Sequence, residues 1–388
     1  MTTPQQAIQN LYDSSWQLAL CLAGGGSRIA SDLLAVPGGS STILDVAIPY
    51  SNASLTDYLG QSPTQFCSRE TALNMASAAW QKATRFSDSS SDSTGNGEAR
   101  CLGVSCTASL ASLKLKRGEH RIWVATETAT GSRVVSLVLK KGLRSRIEEE
   151  AITADLLLYA ISDACGQTPP NLPNLNIDET IAIEFESLPD SIAQLRSGNR
   201  AVVWSFPDGS LSDTVPEPPR GILSGSFNPL HLGHRRLRSV AENQLEGPVY
   251  FELPLINADK PPLNSFDIEQ RRQQFDDSPV ALTAAPKFVE KARLFPGTTF
   301  VIGYDTAVRI LEPRFYRDSE QEVRAALEAV GSLGCHFLVA GRLTESVFRS
   351  ISDLPIPADF HDLFLAIPEE RFREDISSSN IRNFRSTM

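Results

Sequence analysis

The segment Gly221-Ile-Leu-Ser-Gly-Ser-Phe-Asn-Pro-Leu-His-Leu-Gly-His234 joins an apolar run to a turn and then to two histidines. The apolar run predicts the end of a buried strand, and Gly225 permits a tight turn after it. A helical pattern begins beside the second histidine. Because His231 and His234 are three residues apart, they project to the same side of the first helical turn.

The chemistry of this segment suits a phosphate group. Open α/β sheets bind ligands above the carboxyl ends of their strands, and a helix N-terminus there attracts anions. Backbone donors and two imidazoles around one anion predict chemistry at phosphorus. One alternative is a turn whose histidines only cap a helix, and another is a zinc pair. Neither a cysteine nor a carboxylate lies near enough in the sequence to suggest a third zinc ligand, so we predict no metal site made by the protein.

These residues resemble the signature of the nucleotidylyltransferase superfamily. Ser226-Phe227-Asn228-Pro229 is similar to its Gly-x-Phe-x-Pro segment, and His231-Leu232-Gly233-His234 matches its His-x-Gly-His segment. Spacing, residue types and the strand-to-helix context agree. The resemblance implies two catalytic histidines and a nucleotide-binding turn: His231 and His234, and Gly225, Ser226 and Phe227.

Three later segments resemble the adenylyltransferases that make dinucleotides from nicotinamide mononucleotide. Ile376-Ser-Ser-Ser-Asn-Ile-Arg382 is similar to the phosphate clamp of that branch, residues 303–305 to a nucleotide-contacting strand end, and residues 257–263 to the segment that meets the acceptor. The resemblance implies a catalytic Arg382, a nucleotide site with Ser378, Ser379, Gly303 and Asp305, and an acceptor site with Asn257 and Lys260.

Together these likenesses cover residues 220–388 and imply a nucleotidylyltransferase. AMP would pass from ATP, the co-substrate, to a phosphorylated acceptor, with nicotinamide mononucleotide as the first choice. Pyrophosphate would leave, and Mg²⁺ would bridge the phosphates. Where that branch commonly has a tryptophan near the nicotinamide, this chain offers Phe315 or Tyr316 for stacking. A phosphopantetheine adenylyltransferase, a cytidylyltransferase and a non-catalytic nucleotide-binding regulatory protein are the alternatives.

The composition limits the partners of the chain. It has 388 residues, of which 41% are hydrophobic and 21% charged, and its net charge is −10. An acidic chain argues against a general nucleic-acid surface, and no apolar run approaches the roughly 18 residues of a membrane span. Six scattered cysteines favour reduced thiols. We expect a cytoplasmic protein that binds small nucleotide substrates, without nucleic acid or membrane as partner, and a homo-oligomer remains open.

Strands that alternate with helices predict an α/β fold made of two α/β domains. Residues 1–165 are assigned to the first domain, residues 166–219 to a proline-rich structured connector, and residues 220–388 to the second domain. The second domain is predicted to be a Rossmann-like, doubly wound parallel sheet of the type that carries the His-x-Gly-His motif.

The first 165 residues resemble the CinA C-terminal domain family, which includes nicotinamide mononucleotide deamidases. Val36-Pro-Gly-Gly-Ser40 and Tyr50-Ser-Asn52 carry most of this likeness. The lysine that the family has a few residues after its tyrosine segment is Leu55 here, and a serine nucleophile needs a neighbouring base. We therefore expect a degenerate domain with a binding or structural role and without deamidase activity.

A second glycine-rich turn follows the first predicted strand. Residues 16–22 form that strand, residues 24–26 are three glycines, and a helical pattern begins soon after them. The turn is neither a dinucleotide fingerprint nor a P-loop, since the third spaced glycine of the former and the Gly-Lys-Ser/Thr of the latter are absent from it. A tight turn in an α/β sheet and a working anion site both remain open.

Overall fold

The structure, a computed structural model, describes residues 2–89, 100–113, 117–256, 260–344, 347–374 and 381. The chain divides into two compact units. The first contains residues 1–193 and 259–267, and the second contains residues 194–258 and 268–388. Within the described ranges, no helix is long and apolar enough to cross a membrane.

The first unit is an α/β unit with a six-stranded sheet in the order β2-β1-β3-β4-β5-β6. Its elements are α1 (Pro4–Tyr12), β1 (Trp16–Ala23), α2 (Arg28–Leu34), β2 (Ile43–Ala47), α3 (Asn52–Leu59), α4 (Arg69–Ser89), β3 (Arg100–Ser109), β4 (His120–Thr128), β5 (Gly131–Leu139), α5 (Arg146–Ala164) and β6 (Ile181–Ser187). β1 runs parallel to β2 and β3, whereas β4, β5 and β6 are antiparallel to their neighbours.

The alternation of side chains along β1 explains why this sheet is covered on both faces. Leu18, Leu20 and Leu22 pack into a cluster with α1, α2 and α5. The alternate residues Ala19 and Cys21 pack into a second cluster with α3 and α4. Because successive side chains of a strand point to opposite faces, an uninterrupted apolar strand needs helices on both sides.

A segment distant in sequence completes the first unit. Residues 259–267 are grouped with it. Within the unit, the Ser265 N–H donates to Ser132 Oγ at 2.9 Å, and the Arg69 guanidinium lies 4.3 Å from the centre of the Phe266 ring. Ser265 and Ser132 are both buried, so this hydrogen bond lies inside the unit.

The second unit is built on an eight-stranded sheet. Its elements are β7 (Val202–Ser205), β8 (Leu211–Ser212), β9 (Gly221–Ser224), α7 (Leu232–Leu245), β10 (Val249–Pro254), β11 (Val280–Thr283), α9 (Phe288–Leu294), β12 (Thr299–Gly303), α10 (Tyr304–Leu311), α11 (Glu320–Ser332), β13 (His336–Ala340), β14 (Arg342–Thr344), β15 (Val347–Arg349) and β16 (Phe364–Ile367). Two further helices contain the points where the chain passes between units: α6 (Asp190–Arg196) and α8 (Ser265–Arg272).

The strand order of the second sheet is β16-β13-β12-β9-β10-β11-β7-β8. From β9 the chain proceeds to β10 and β11 on one side, and then to β12, β13 and β16 on the other. These six strands are parallel, while β7 adds antiparallel to β11. The carboxyl end of β9 is therefore the topological switch point, where open α/β sheets bind their ligands.

The predicted fold class is confirmed. Both units are α/β, and the second carries a doubly wound sheet that is parallel over six strands. The segment that the sequence set apart as a connector, residues 166–219, supplies β6 to the first sheet and β7 and β8 to the second. The domain limits proposed from the sequence stay predictions.

Candidate functional site

Hydrogen bonds from its backbone groups to neighbouring elements fix the loop between β9 and α7. The Gly225 N–H donates to the Glu252 carbonyl of β10 at 3.1 Å. Arg271 of α8 donates from Nη1 to the Ser226 carbonyl at 3.0 Å. Ser226 itself is exposed at the carboxyl end of the sheet. The turn predicted to bind the nucleotide is therefore held in place from two sides.

Phe227 supports the site from below. Its side chain is 1% exposed, and its backbone φ of 42° lies in the left-handed region. The ring packs edge-on against His234 at a centroid distance of 5.1 Å, and against Phe251 and Phe275 at 5.2 and 5.3 Å. The aromatic cluster thus fixes the His234 ring; a direct contact of Phe227 with nucleotide stays a prediction.

Gln274 stabilises the same loop and was missed from the sequence. Its Oε1 accepts from the Leu230 N–H at 2.8 Å, and its Nε2 donates to the Phe227 carbonyl at 3.1 Å. One amide side chain therefore satisfies a donor and an acceptor of the loop. No local signal could have identified this residue, because the two partners lie 44 and 47 positions away.

His231 and His234 occupy the start of α7 and face each other. His231 is the residue before the helix, and its N–H donates to His234 Nδ1 at 3.3 Å. The two rings stack with centroids 3.8 Å apart and planes at 29°. Because Nδ1 of His234 accepts a hydrogen bond, its neutral ring carries the proton on Nε2 and can donate it to a phosphate oxygen.

Burial keeps both rings neutral near pH 7. Desolvation, with a smaller contribution from the neighbouring His231, lowers the pKa of His234 to about 3. Desolvation also lowers the pKa of His231, while the Glu374 carboxylate acts in the opposite direction. The pair thus offers hydrogen-bond donors at the site before any substrate arrives.

Arginines on α7 are engaged in ion pairs. Arg235 Nη2 lies 2.7 Å from the Asp276 carboxylate, and Arg236 Nη1 lies 2.8 Å from the Glu374 carboxylate. Arg238 lies over the Phe251 ring, with its guanidinium carbon 5.2 Å from the ring centre. These side chains therefore hold α7 to other elements of the unit.

Gly303 and Asp305 lie where the sequence predicted a strand end. β12 is the parallel neighbour of β9, so the carboxyl ends of both strands are at the same edge of the sheet. Gly303 ends β12, and Asp305 lies in the first turn of α10. Asp305 forms an ion pair with Arg342 of β14, a residue that sequence reasoning missed. Their contact with a nucleotide stays a prediction.

The two aromatic candidates for stacking have different surroundings. The guanidinium carbons of Arg309 and Arg314 lie 5.0 and 4.8 Å from the centre of the Phe315 ring. Tyr316 packs against the core of the second unit, and burial raises the pKa of its hydroxyl. Stacking of either ring on an acceptor stays a prediction.

The remaining predicted ligands fall partly outside the described residues. Lys260 is described as an exposed residue of segment 259–267, which is grouped with the first unit. The predicted acceptor ligand Asn257 and the predicted clamp residues Ser378, Ser379 and Arg382 lie outside the described ranges. In the ranges that are described, no three His, Cys, Asp or Glu side chains are grouped so as to hold a metal ion.

The hydrogen-bond donors of the glycine turn in the first unit are taken up by a carboxylate of the same chain. The carboxylate of Glu150 on α5 accepts from the Gly26 N–H at 3.0 Å, the Ser27 hydroxyl at 2.9 Å and the Arg28 N–H at 3.2 Å. A Cβ at Gly24 would lie 2.1 Å from the Ala108 carbonyl oxygen, so glycine is needed there for close packing. The structure therefore favours a tight turn over a working anion site.

Two residues that carry the CinA resemblance lie on the surface, whereas the residue that departs from the family is buried. Ser40 and Tyr50 are exposed. Leu55, at the place of the family's lysine, is 2% exposed and packs into the cluster with α3 and α4. A buried leucine supplies no base for a serine nucleophile.

Comparisons with known proteins identify one family match, in the C-terminal part of the chain. Residues 222–384 match the model of the cytidylyltransferase-like family. Among solved structures, the competence/damage inducible protein CihA from Agrobacterium tumefaciens is similar to this chain, with 20% sequence identity and a TM-score of 0.33, over 43% of this chain and 99% of that chain. No curated protein matches the chain. The family match includes both histidines and position 382.

Proposed function

Because the C-terminal part of the chain is a cytidylyltransferase-like domain, we propose that the protein transfers AMP from ATP to a phosphorylated acceptor and releases pyrophosphate. The observation that carries the proposal is the stacked histidine pair at the carboxyl end of β9. The pair lies at a helix N-terminus and at the topological switch point of the sheet. The His231 N–H also sets the tautomer of the His234 ring.

In the reaction, an oxygen of the acceptor phosphate attacks the α-phosphorus of ATP in line. A new bond forms between that oxygen and the phosphorus, and the bond from phosphorus to the bridging oxygen of the β-phosphate breaks. Pyrophosphate leaves with the electron pair. The protein positions the reactants and stabilises the negative charge that grows on the phosphate oxygens.

His234 is suited to stabilise that growing charge. Its Nδ1 accepts the His231 N–H, so Nε2–H is the atom that donates to a phosphate oxygen. The ring is braced by stacking on His231 and by the edge contact with Phe227. A donor held in this way needs no reorganisation when the charge develops, which is the condition for strong electrostatic catalysis.

Mg²⁺ belongs to the proposal as part of the nucleotide substrate. The histidine pair is a donor set for phosphate oxygens, and His234 Nδ1 is already engaged by a backbone N–H. Mg²⁺ usually keeps several waters and is held by substrate phosphates. When bound, it neutralises charge on the phosphates; the residues of the chain supply hydrogen bonds beside it.

The proposed acceptor is nicotinamide mononucleotide. This choice rests on the resemblance of residues 257–263, 303–305 and 376–382 to the corresponding adenylyltransferases. Lys260 and Asn257 would bind the acceptor, and Arg382 with Ser378 and Ser379 would bind the β- and γ-phosphates of ATP. Lys260 and Arg382 are cationic, and a cationic side chain binds phosphate oxygens through charge-assisted hydrogen bonds.

A cytidylyl transfer is the second candidate, and the family match is the observation that favours it. Purified full-length protein should be incubated with Mg²⁺ and either ATP or CTP against a panel that includes nicotinamide mononucleotide, phosphopantetheine and sugar phosphates. Pyrophosphate and the mass of the condensed product report the reaction. A dinucleotide from ATP and nicotinamide mononucleotide supports the proposal, and a CTP-dependent product supports the second candidate. Absence of product from every pair overturns both.

A further inference from the structure

Glu374 is a carboxylate beside the histidine pair to which neither the family signature nor the proposed reaction gives a role. Its side chain is 15% exposed, and its Oε2 lies 2.8 Å from Arg236 Nη1. It lies two positions before the segment that the sequence assigns to phosphate binding, residues 376–382. The ion pair places Glu374 beside the start of α7, although the two partners are 138 positions apart in the sequence.

Gly233 allows Glu374 and His231 to lie side by side. A Cβ at Gly233 would be 3.0 Å from Glu374 Cγ, and 3.1 Å from Cε1 and Nδ1 of His231. The Glu374 stem and the His231 ring thus occupy the space that a side chain at position 233 would need. Because the φ of Gly233 is not in the left-handed region, the glycine serves close approach rather than backbone conformation.

Nδ1 of the His231 ring is buried, and among the described residues no hydrogen-bond partner for it is found. His234, in contrast, is fixed by the backbone N–H that its Nδ1 accepts. The orientation of His231 therefore depends on what packs against it, namely the His234 ring on one side and the Gly233–Glu374 contact at its edge.

We infer that Glu374 is a positioning residue for the nucleotidyl-transfer site: held by Arg236 and seated on Gly233, it fixes the His231 ring against His234. The inference rests on the proposed function. The Glu374 carboxylate also interacts with His231 electrostatically: its negative charge favours the protonated ring and so acts to raise the pKa of His231.

The test uses the full-length protein with four single-site variants and one double variant. Glu374→Ala removes contact and charge, Glu374→Gln removes only the charge, and Arg236→Gln releases the carboxylate. Glu369→Gln is the matched control, because Glu369 lies five positions upstream in the same segment and pairs with the exposed Arg373. Two quantities are measured: kcat/KM for ATP, and the NMR titration of the His231 ring in the protein without nucleotide.

We expect Glu374→Ala to lower kcat/KM about tenfold, which corresponds to about 1.4 kcal/mol. Glu374→Gln should move the His231 titration midpoint to lower pH, because the carboxylate that favours the charged ring is lost. The double variant Arg236→Glu/Glu374→Arg restores an ion pair with the charges exchanged. Its kcat/KM should be partly restored relative to Glu374→Ala, whereas its His231 titration midpoint should not return to the wild-type value. If the ion pair were merely structural, the double variant would restore both quantities or neither.

Values for Glu374→Ala and Glu374→Gln equal to those of Glu369→Gln, in both kcat/KM and titration, would overturn the inference. Failure of the proposed function is recognised separately. If the wild-type chain forms no product with any acceptor, the proposed function fails, while the His231 titration in Glu374→Gln still decides whether Glu374 acts on that ring.

Discussion

The two units each contain a glycine-bearing loop between a parallel strand and a helix, and the two loops differ in the charge of the groups that accept their hydrogen bonds. In the first glycine loop, residues 24–27, the donors of the turn are bonded to the carboxylate of Glu150. In the histidine loop, residues 225–234, the N–H groups of Gly225, Leu230 and His231 donate to a carbonyl, an amide oxygen and an imidazole nitrogen.

The difference shows that position in an α/β fold is not enough to make an anion site. Both loops follow a strand at the carboxyl edge of a parallel pair. Glu150 brings one negative charge to the first glycine loop, so a phosphate there would meet a carboxylate already in place. The acceptors in the histidine loop are neutral, and the neutral histidines add donors. The function that each loop can perform depends on which side chain reaches it from elsewhere in the chain.

The largest expected effect is on the histidine loop. His234→Ala should lower kcat by roughly 10²–10³ and change ATP affinity far less, as the loss of one preorganised donor typically does. His361→Ala, an exposed histidine of the same unit, is the matched control. Steady-state pyrophosphate release measures both. An effect of His234→Ala on KM alone would mean that the ring only starts the helix.

The next effect concerns the first glycine loop. Glu150→Ala should destabilise the protein by about 1–3 kcal/mol, because the buried Gly26 N–H loses its acceptor. The free energy of unfolding, obtained from denaturant titration of the full-length protein, measures this change. Asp178→Ala, which removes an exposed ion pair with Lys140, should cost at most about 1 kcal/mol. Equal stability of the two variants would show that the carboxylate is not holding the turn.

A smaller effect should appear as a pH dependence of stability. The pKa of His234 falls from 6.5 in the unfolded chain to about 3 in the folded one, so the unfolded chain binds the proton first as pH falls. Stability from this group is present above pH 6.5 and is lost progressively towards pH 3. Between pH 6.5 and 5 the loss is at most about 2 kcal/mol. His234→Gln should flatten this slope in unfolding curves at the two pH values, and an unchanged slope would contradict the burial argument.

For ammonia release by the first unit we expect no effect at all. The full-length protein should release no ammonia from nicotinamide mononucleotide, because Leu55 is buried where the resemblance requires a base. Ser40→Ala should therefore give the same baseline as the wild type in an enzyme-coupled ammonia assay. Ammonia that appears with the wild type and disappears with Ser40→Ala would show that the first unit keeps a deamidase site.

Much of the second fold and part of its site could be predicted from local patterns. The apolar run before Gly225 and the helical pattern after Gly233 predicted β9 and α7, and the i, i+3 spacing predicted that the two histidines lie on the same side. The partners that fix them could not be predicted. Gln274 and Glu374 reach the loop from distant positions and belong to no local motif.

Local sequence patterns were enough to predict the order of elements, the α/β class and the histidine pair, because strand and helix periodicity and the reach of neighbouring side chains are local properties. Three features follow from the tertiary structure alone: which loop Glu150 closes, which aromatic rings pack around Phe227, and the pairing of Asp305 with Arg342. These depend on contacts between residues far apart in the chain, and such contacts form only when packing brings their elements together.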